Sequence, residues 1–407
     1  MRILIYGINF SPELTGIGKY TGEMASWLAA RGHDVTMVCA MPYYPEWNVH
    51  ESYKSKFWHK ENIAGVRVYR CPLYVPSTAS PVKRIIHEFS FVASAFPILL
   101  LNLFQRKYDV VLSIFPPFHL GILPLLYAKI RRSKVVTHIQ DLQVDAARDL
   151  GMINNQALLR IMFGLEKIFL NSSARISTIS DGMQTRIEKK GIPGEKMISF
   201  PNWVDTAFIR PLAKSQSLRA TFGYAESDRL IMYSGNLGEK QGLETLIDVA
   251  NEFKGDKSIQ FLIVGNGGGK KKLQQLTIDA GLENVRFFPL QAYELLSELL
   301  ATADIHLVLQ RKSASDLVMP SKLVSLLSAG GAAIVTAVRG SSLYNLVLNF
   351  KTGIVIDPEN TELLVLSIKK ALNSDLTIYR QNSRAYAEKH LGKEPIMLEW
   401  EKQLQRL

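Results

Sequence analysis

A chain of 407 residues is too long for one ordinary hydrophobic core and fits two domains of roughly 150 to 200 residues each. Its composition, 47% hydrophobic and 21% charged without a low-complexity tract, is globular and excludes a disordered or fibrous class. The net charge of +11 asks for an anionic partner or surface; without a helix-turn-helix signature, zinc finger or RNP-type aromatic run, nucleic acid is not the expected one. Sugar-nucleotide diphosphates, lipid diphosphates and anionic membranes suit the charge equally well.

Two cysteines, Cys39 and Cys71, are too few for a disulfide framework and lack metal-ligand partners at suitable spacing, so a reducing compartment is expected. Met1-Arg2 leads straight into a strand pattern, with no charged segment and cleavage site before it. A cytoplasmic protein without a signal peptide is expected.

In chain order, strand-like apolar runs fall at 3–6, 35–39, 66–69, 110–113, 135–138 and 175–178, then at 230–233, 260–264, 285–287, 305–308, 333–336 and 353–356. Helical patterns separate them, which is the mark of parallel sheets covered by helices, and the pattern occurs twice. Phe200-Pro201-Asn202-Trp203-Val204-Asp205 is a Pro/Asn turn signal and is read as the link. The expected division is 1–204, 205–385 and a C-terminal helix within 386–407 that packs back on the first domain. Two doubly wound α/β domains then face an interdomain cleft, with ligands beyond the carboxyl ends of the strands.

Three glycine clusters follow strands. Gly16, Gly18 and Gly22 form G-x-G-x-x-x-G, one residue longer than the dinucleotide fingerprint, and the next strand ends at Cys39-Ala40-Met41 without a ribose-binding acid. NAD is therefore not expected. The run from Gly265 to Lys271 lacks the spacing of a triphosphate loop, and a flexible loop with solvated lysines explains it as well as a ligand site does. The third, Gly235-Asn236-Leu237-Gly238-Glu239-Lys240-Gln241-Gly242, runs into the amphipathic pattern Leu243, Leu246, Ile247, Ala250. Glycines let backbone approach a ligand and a helix N-terminus favours anions, so an anion is expected; Lys240 suits a diphosphate. An ordinary turn with a solvated lysine has the same sequence.

The apolar run 89–104 carries Pro97, with Lys83-Arg84 before it and Arg106-Lys107 after it. It reads as too short and interrupted to span a bilayer, leaving attachment to anionic lipid or a core helix. The loop Met41-Pro42-Tyr43-Tyr44-Pro45-Glu46-Trp47 either stacks on acceptor sugars or packs a domain edge.

Together these elements resemble glycosyltransferase family 4. The likeness runs through Gly16 to Gly22, Leu28-Ala29-Ala30-Arg31-Gly32-His33-Asp34-Val35, Phe200-Pro201-Asn202-Trp203-Val204-Asp205 and Gly235 to Gly242. It continues through Val264-Gly265-Asn266-Gly267, Phe287-Phe288-Pro289-Leu290, Pro320-Ser321-Lys322-Leu323 and Ser328-Ala329-Gly330-Gly331. The resemblance implies the GT-B fold, two Rossmann-like domains, and retaining transfer of a sugar from a nucleotide-diphosphate donor. Residues 6–24 and His138-Ile139-Gln140-Asp141 resemble the branch acting in colanic acid biosynthesis. That branch implies exopolysaccharide assembly, a GDP-fucose donor, a polyprenyl-diphosphate-linked sugar acceptor and peripheral contact with the cytoplasmic face of the inner membrane.

Carried over position by position, the resemblance places Gly16, Gly18, Gly235, Asn236, Lys240, Pro289, Leu290, Ser321, Lys322 and Ser325 around the donor. Lys240 matches the family's lysine, but Asn236 stands where relatives keep an arginine. Lys322 is then the helper cation, in the first turn of a helix opened by Pro320. Leu317 and Ser325 occupy the positions of two family glutamates; Asp316 is the candidate replacement for the first, and Ser325 still offers a hydroxyl to the ribose. The base is expected near Phe288 to Gln291.

His138 and Asp141 are the expected catalytic residues. His138 would orient or deprotonate the acceptor hydroxyl or contact the donor sugar, with Asp141 and Asp145 supporting it. A hydrogen-bonded strand-end histidine with capping aspartates is the alternative. No enzyme nucleophile, cofactor or metal is implied, because diphosphate departure relies on Lys240 and helix N-termini. A sugar-nucleotide epimerase of the same fold and a non-catalytic nucleotide-binding scaffold remain as rivals.

Overall fold

Apolar strands buried on both faces need helices on both sides, and that requirement organises each half of this chain. The computed structural model describes residues 1–13, 16–77, 80–317 and 319–407; Leu14 and Thr15 of the 6–24 stretch lie outside them. The first sheet contains β1 (Arg2–Tyr6), β2 (Asp34–Ala40), β3 (His59–Ile63), β4 (Val66–Cys71), β5 (Val110–Phe115), β6 (Lys134–Ile139), β7 (Arg175–Thr178) and β8 (Met197–Ser199). Their order is β3-β4-β2-β1-β5-β6-β7-β8, parallel except for the antiparallel β3–β4 pair. Its helices are α1 (Gly16–Ala30), α2 (Pro81–Leu103), α3 (Ile122–Arg131), α4 (Gln143–Asp149), α5 (Gln156–Ser172) and α6 (Asp181–Lys189).

The second sheet contains β9 (Arg229–Ser234), β10 (Ile259–Val264), β11 (Val285–Phe288), β12 (Ile305–Val308), β13 (Ala333–Thr336) and β14 (Gly353–Ile356), in the order β11-β10-β9-β12-β13-β14, all parallel. Its helices are α7 (Glu244–Glu252), α8 (Lys270–Asp279), α9 (Leu296–Thr302), α10 (Ser321–Ser328), α11 (Ser342–Phe350), α12 (Thr361–Leu372) and α13 (Thr377–His390), and α14 (Lys393–Gln405) ends the chain. Strand order reverses at β1/β5 in one sheet and β9/β12 in the other. These switch points are where open α/β sheets bind ligands.

The chain forms two compact units, residues 1–201 with 395–407, and residues 202–394. The expected boundaries at 204 and 386 lie elsewhere for a physical reason. Residues 202–204 belong to the second unit, where Val204 N–H donates to Leu391 O at 2.8 Å and Trp203 is fully buried. At the other end α13 continues unbroken past 385 to His390, burying Ala387 in the second core. Only then does α14 return to the first unit. There Trp400 stacks on Phe200 with 4.2 Å between ring centroids, and Glu401 pairs with Arg31 at 3.1 Å and His33 at 2.7 Å.

The apolar run read as too short and interrupted is in fact a continuous 23-residue helix, α2, passing through Pro97. Proline costs one internal hydrogen bond, and packing on one side offsets it. Val82–Leu103 is thus long and apolar enough to cross a membrane. Its inner face, however, belongs to the core: Phe91, Ala95, Ile98 and Leu99 are buried against Tyr6 and Val111.

Candidate active site

The glycine turn after β9 is held by its neighbours. Gly235 N–H donates to Val264 O at 2.9 Å, Leu237 N–H to Asn266 O at 2.9 Å, and Gly238 N–H to Gln241 Oε1 at 3.2 Å. Those donors are spent inside the protein, so the backbone offers less to an anion than the glycines suggest. The helix N-terminus is altered too. Residues Glu239–Gln241 form a short 3-10 turn, and α7 begins only at Glu244, whose carboxylate receives Lys272 at 2.8 Å and Arg311 at 3.2 Å. Part of the helix dipole is therefore already answered by the protein's own anion.

The loop after β10 is packed rather than free. A side chain at Gly265 would run into the Gly235 carbonyl, and one at Gly267 would come within 2.6 Å of Asn236 Oδ1 and Leu237 O. Both glycines have positive φ, 156° and 153°. The two loops interlock, and Gly265 and Gly267 exist to let them.

Lys240 sits in the 3-10 turn, partly exposed, its carbonyl accepting from Arg311 N–H at 2.9 Å. Asn236 is exposed beside it, its carbonyl held by the Tyr233 hydroxyl at 2.7 Å. Lys322 arrives from α10, whose N-cap is Pro320 and whose first residue is the exposed Ser321. Lys322 Nζ lies 3.4 Å from the Tyr233 ring centroid, and a side chain at Gly235 would meet it at 3.7 Å. Although the residue keeps some surface, its ammonium nitrogen is fully buried and has no hydrogen-bond partner among the described residues. Burial holds its pKa well below the ordinary lysine value. A lysine nitrogen held over an aromatic face, with neither a hydrogen-bond partner nor an anion among the described residues, is a site that an arriving anion would complete.

The remaining donor-side positions are less gathered. Ser325 is half-buried on the next turn of α10. Asp316, at φ +54°, uses Oδ1 to accept from Ser342 N–H at 3.0 Å, which makes it a cap for α11 rather than a free acid; Leu317 is core. Pro289 and Leu290 follow β11, where Gly265 N–H bonds Phe288 O at 3.1 Å, and Gln291 Nε2 donates to Pro289 O at 2.9 Å.

In the first unit Gly16, at φ +58°, opens α1, and a side chain at Gly18 would meet Glu13 Oε2 at 2.7 Å. Glu13 is a residue to which sequence reasoning gave no role. Its buried carboxylate accepts from the N–H groups of Tyr43 and Tyr44 at 3.1 and 3.0 Å and from Asn9 at 2.9 Å. It ties the aromatic loop down, and Tyr43 and Trp47 pack into the core around α2, so that loop serves a domain edge.

His138 is found in the hydrogen-bonded arrangement that the sequence offered as the alternative. Its Nδ1 meets Ser177 Oγ at 2.9 Å and its Nε2 meets Gln140 Nε2 at 2.8 Å, while the rings of Phe200 and Trp400 lie 5.1 and 6.3 Å away. Read from that network, Nε2 accepts from the Gln140 amide and Nδ1–H donates to Ser177. Burial pushes the imidazole down to about 3. With both nitrogens occupied, the neutral ring ties β6 to β7 and packs against Trp400 of α14. Asp141 is half-buried after β6. Asp145 is committed to an ion network with Lys190, Arg148 and Arg186.

Comparison with known proteins adds the decisive observation. Residues 15–203 match the model of the glycosyl transferase 4-like domain, and residues 214–390 that of glycosyl transferases group 1. The chain is 41% identical over 406 residues, 98% of each chain, to WcaI of Escherichia coli (strain K12), named for colanic acid biosynthesis. The chain belongs to glycosyltransferase family 4. An uncharacterized glycosyltransferase of Methanocaldococcus jannaschii is 20% identical, covering 92% of this chain and 89% of its own.

Among solved structures, sucrose-phosphate synthase of Thermosynechococcus elongatus aligns with a TM-score of 0.79 at 15% identity, over 100% of this chain and 98% of that one. Anabaena HepE in complex with UDP-glucose aligns at 0.74 with 17% identity, over 100% of both chains. At these identities the likeness is one of fold, and it is the GT-B fold. In this glycosyltransferase the structure brings Lys322 against Gly235 and Tyr233 at the β9 switch point, and the same turn carries Asn236 and Lys240. His138 and the Gly16–Gly18 turn lie in the other unit. Arg311, unsuspected from sequence, braces the turn through Lys240 O and Glu244; its signal was its place at the carboxyl end of β12, next to the switch point.

Proposed function

We propose that this glycosyltransferase binds a nucleoside-diphosphate sugar at the β9 turn and transfers the sugar, with retention, to a sugar acceptor carried on a polyprenyl diphosphate. The observation that supports it most is the buried, unpartnered Lys322 ammonium beneath Gly235. A diphosphate reaching Lys322 and Lys240 gives that cation its missing anion and stabilises the leaving group as charge develops on it. In this proposal Lys240 and Lys322 carry the diphosphate charge, so transfer is expected to proceed in EDTA. The likeness to WcaI supports a role in colanic-acid-like exopolysaccharide assembly on the cytoplasmic side of the inner membrane. GDP-fucose is the first donor to test.

Thermal shift with GDP, UDP, ADP and their sugars reads the donor directly; a response to UDP compounds alone removes the fucose assignment. Lys322→Met and Lys240→Ala should each weaken donor binding roughly 10- to 100-fold, the worth of a charge-assisted hydrogen bond. Lys322→Met should leave the melting temperature equal or higher, because it also removes a buried polar nitrogen that has no hydrogen-bond partner among the described residues. Unchanged sugar transfer by Lys240→Ala would overturn this mechanism.

A further inference from the structure

Helices α2, α3 and α5 are neighbours in the first unit, α3 touching both of the others. Each buries one face inside the first unit, so its outer face should be polar. It is not. On α2 the exposed stripe is Ile86, Phe89, Phe96, Leu100 and Phe104, the last 90% exposed. These positions are three, four or seven residues apart, which keeps them on one side of the helix, opposite the buried Phe91, Ala95, Ile98 and Leu99. On α3 the outward positions are Ile122, Leu126 and Ile130, and on α5 Ile161, Leu165 and Ile168. Beside α2, Trp58 is half exposed and anchored by Nε1–H donating to Ser94 O at 2.9 Å.

The charges on this layer have one sign. Arg84, Arg106, Lys107, Lys129, Arg160 and Lys167 are exposed in or just after the three helices. The helices hold two acids, and both turn inward. Glu88 accepts from Gln143 at 2.9 Å, and Glu166 is buried against Lys190. Apolar side chains interleaved with cations, and no exposed carboxylate among these helical residues, match an anionic bilayer surface. A second copy docked face to face would set cations against cations. Crossing the bilayer is disfavoured as well, since α2 would have to strip its inner face from the core.

We propose that the joint outer face of α2, α3 and α5 is a membrane-docking face that lies flat on anionic lipid, its apolar stripes inserted and its lysines and arginines among the headgroups. The proposal deepens the reading of a lipid-borne acceptor and rests on that reading only for its purpose.

Flotation of the full chain with vesicles of phosphatidylcholine, alone or mixed with phosphatidylglycerol and free of any acceptor, tests it. Binding is expected to the mixed vesicles and to weaken as salt rises. Leu100→Glu/Phe104→Glu should lower that binding tenfold or more, and Arg106→Glu/Lys107→Glu roughly tenfold, with the nucleotide thermal shift of both variants kept at the wild-type value. A wild type that stays with the buffer, or a Leu100→Glu/Phe104→Glu chain that binds as well as wild type, overturns the docking face. So does a dimer in sedimentation velocity without vesicles that the same variant dissociates, because a second copy then covers the face. The readouts separate the two proposals: vesicle binding without a nucleotide response removes the donor reading alone, and the reverse removes only the docking face.

Discussion

His138 donates to one neighbour and accepts from another, so its protonation would break an arrangement already complete. With its folded pKa near 3 against an ordinary value of 6.5, the unfolded chain binds this proton first as pH falls. The stability it supplies is full above pH 6.5 and is lost as the pH drops towards the folded value. His119 and His306, each pushed down to about 4 by burial, act in the same direction, while Glu88, pushed up to about 7, opposes them. His138→Gln should therefore flatten the acid limb, recovering up to about 1.4 kcal/mol per pH unit between pH 6 and 4. Denaturant unfolding of both chains at those pH values measures it; parallel curves would show that His138 is not held neutral. The histidine and a hydrogen-bonded role for it were both legible in sequence; the partners that hold it were not. Gln140 directly follows the same strand, but Ser177 and Trp400 come from β7 and α14, and only packing brings those two to the ring.

At the scale of elements, the donor turn is a product of two loops. Gly235 and Leu237 are pinned by the strand and loop of β10, and that closeness excludes a side chain at Gly265 or Gly267. Gly267→Ala should cost about 2 kcal/mol or more through backbone clash and its positive φ, and should weaken donor binding with it. Gly268→Ala is the control, since nothing lies within 4 Å of the added carbon. A thermal melt in which the two variants behave alike would refute the interlock. Strand-to-helix turns were readable because apolar runs and glycines are local signals. The strands β3 and β8 were not, one being polar and alternating (His59–Ile63) and the other only three residues long (Met197–Ser199). The length of α2 escaped for another reason: Pro97 signals a break, and the buried face of that helix tolerates it.

The whole molecule is two units threaded by one chain that leaves the first and returns to it. The return is secured by Trp400, fully buried and stacked on Phe200, and by Glu401 between Arg31 and His33. Trp400→Ala should destabilise the first unit by about 3–5 kcal/mol, the usual cost of emptying so large a core site. Calorimetry should show the first unit's transition moving down while the second unit's stays in place; an unmoved trace would mean that α14 is a passive tail.

Sequence alone determined that this chain builds two parallel α/β domains, belongs to a glycosyltransferase family and places a lysine beside a glycine turn. Those properties reside in short-range patterns, the alternation of apolar runs with amphipathic segments and the motifs at their junctions. Tertiary structure decided the rest. It brought Lys322 under Gly235 from more than eighty residues away, closed His138 inside its partners and aligned three helices whose outer faces are apolar and basic together. Each of these depends on residues distant in sequence meeting in space, where burial sets whether a charge or a ring nitrogen is satisfied, and no local pattern carries that information.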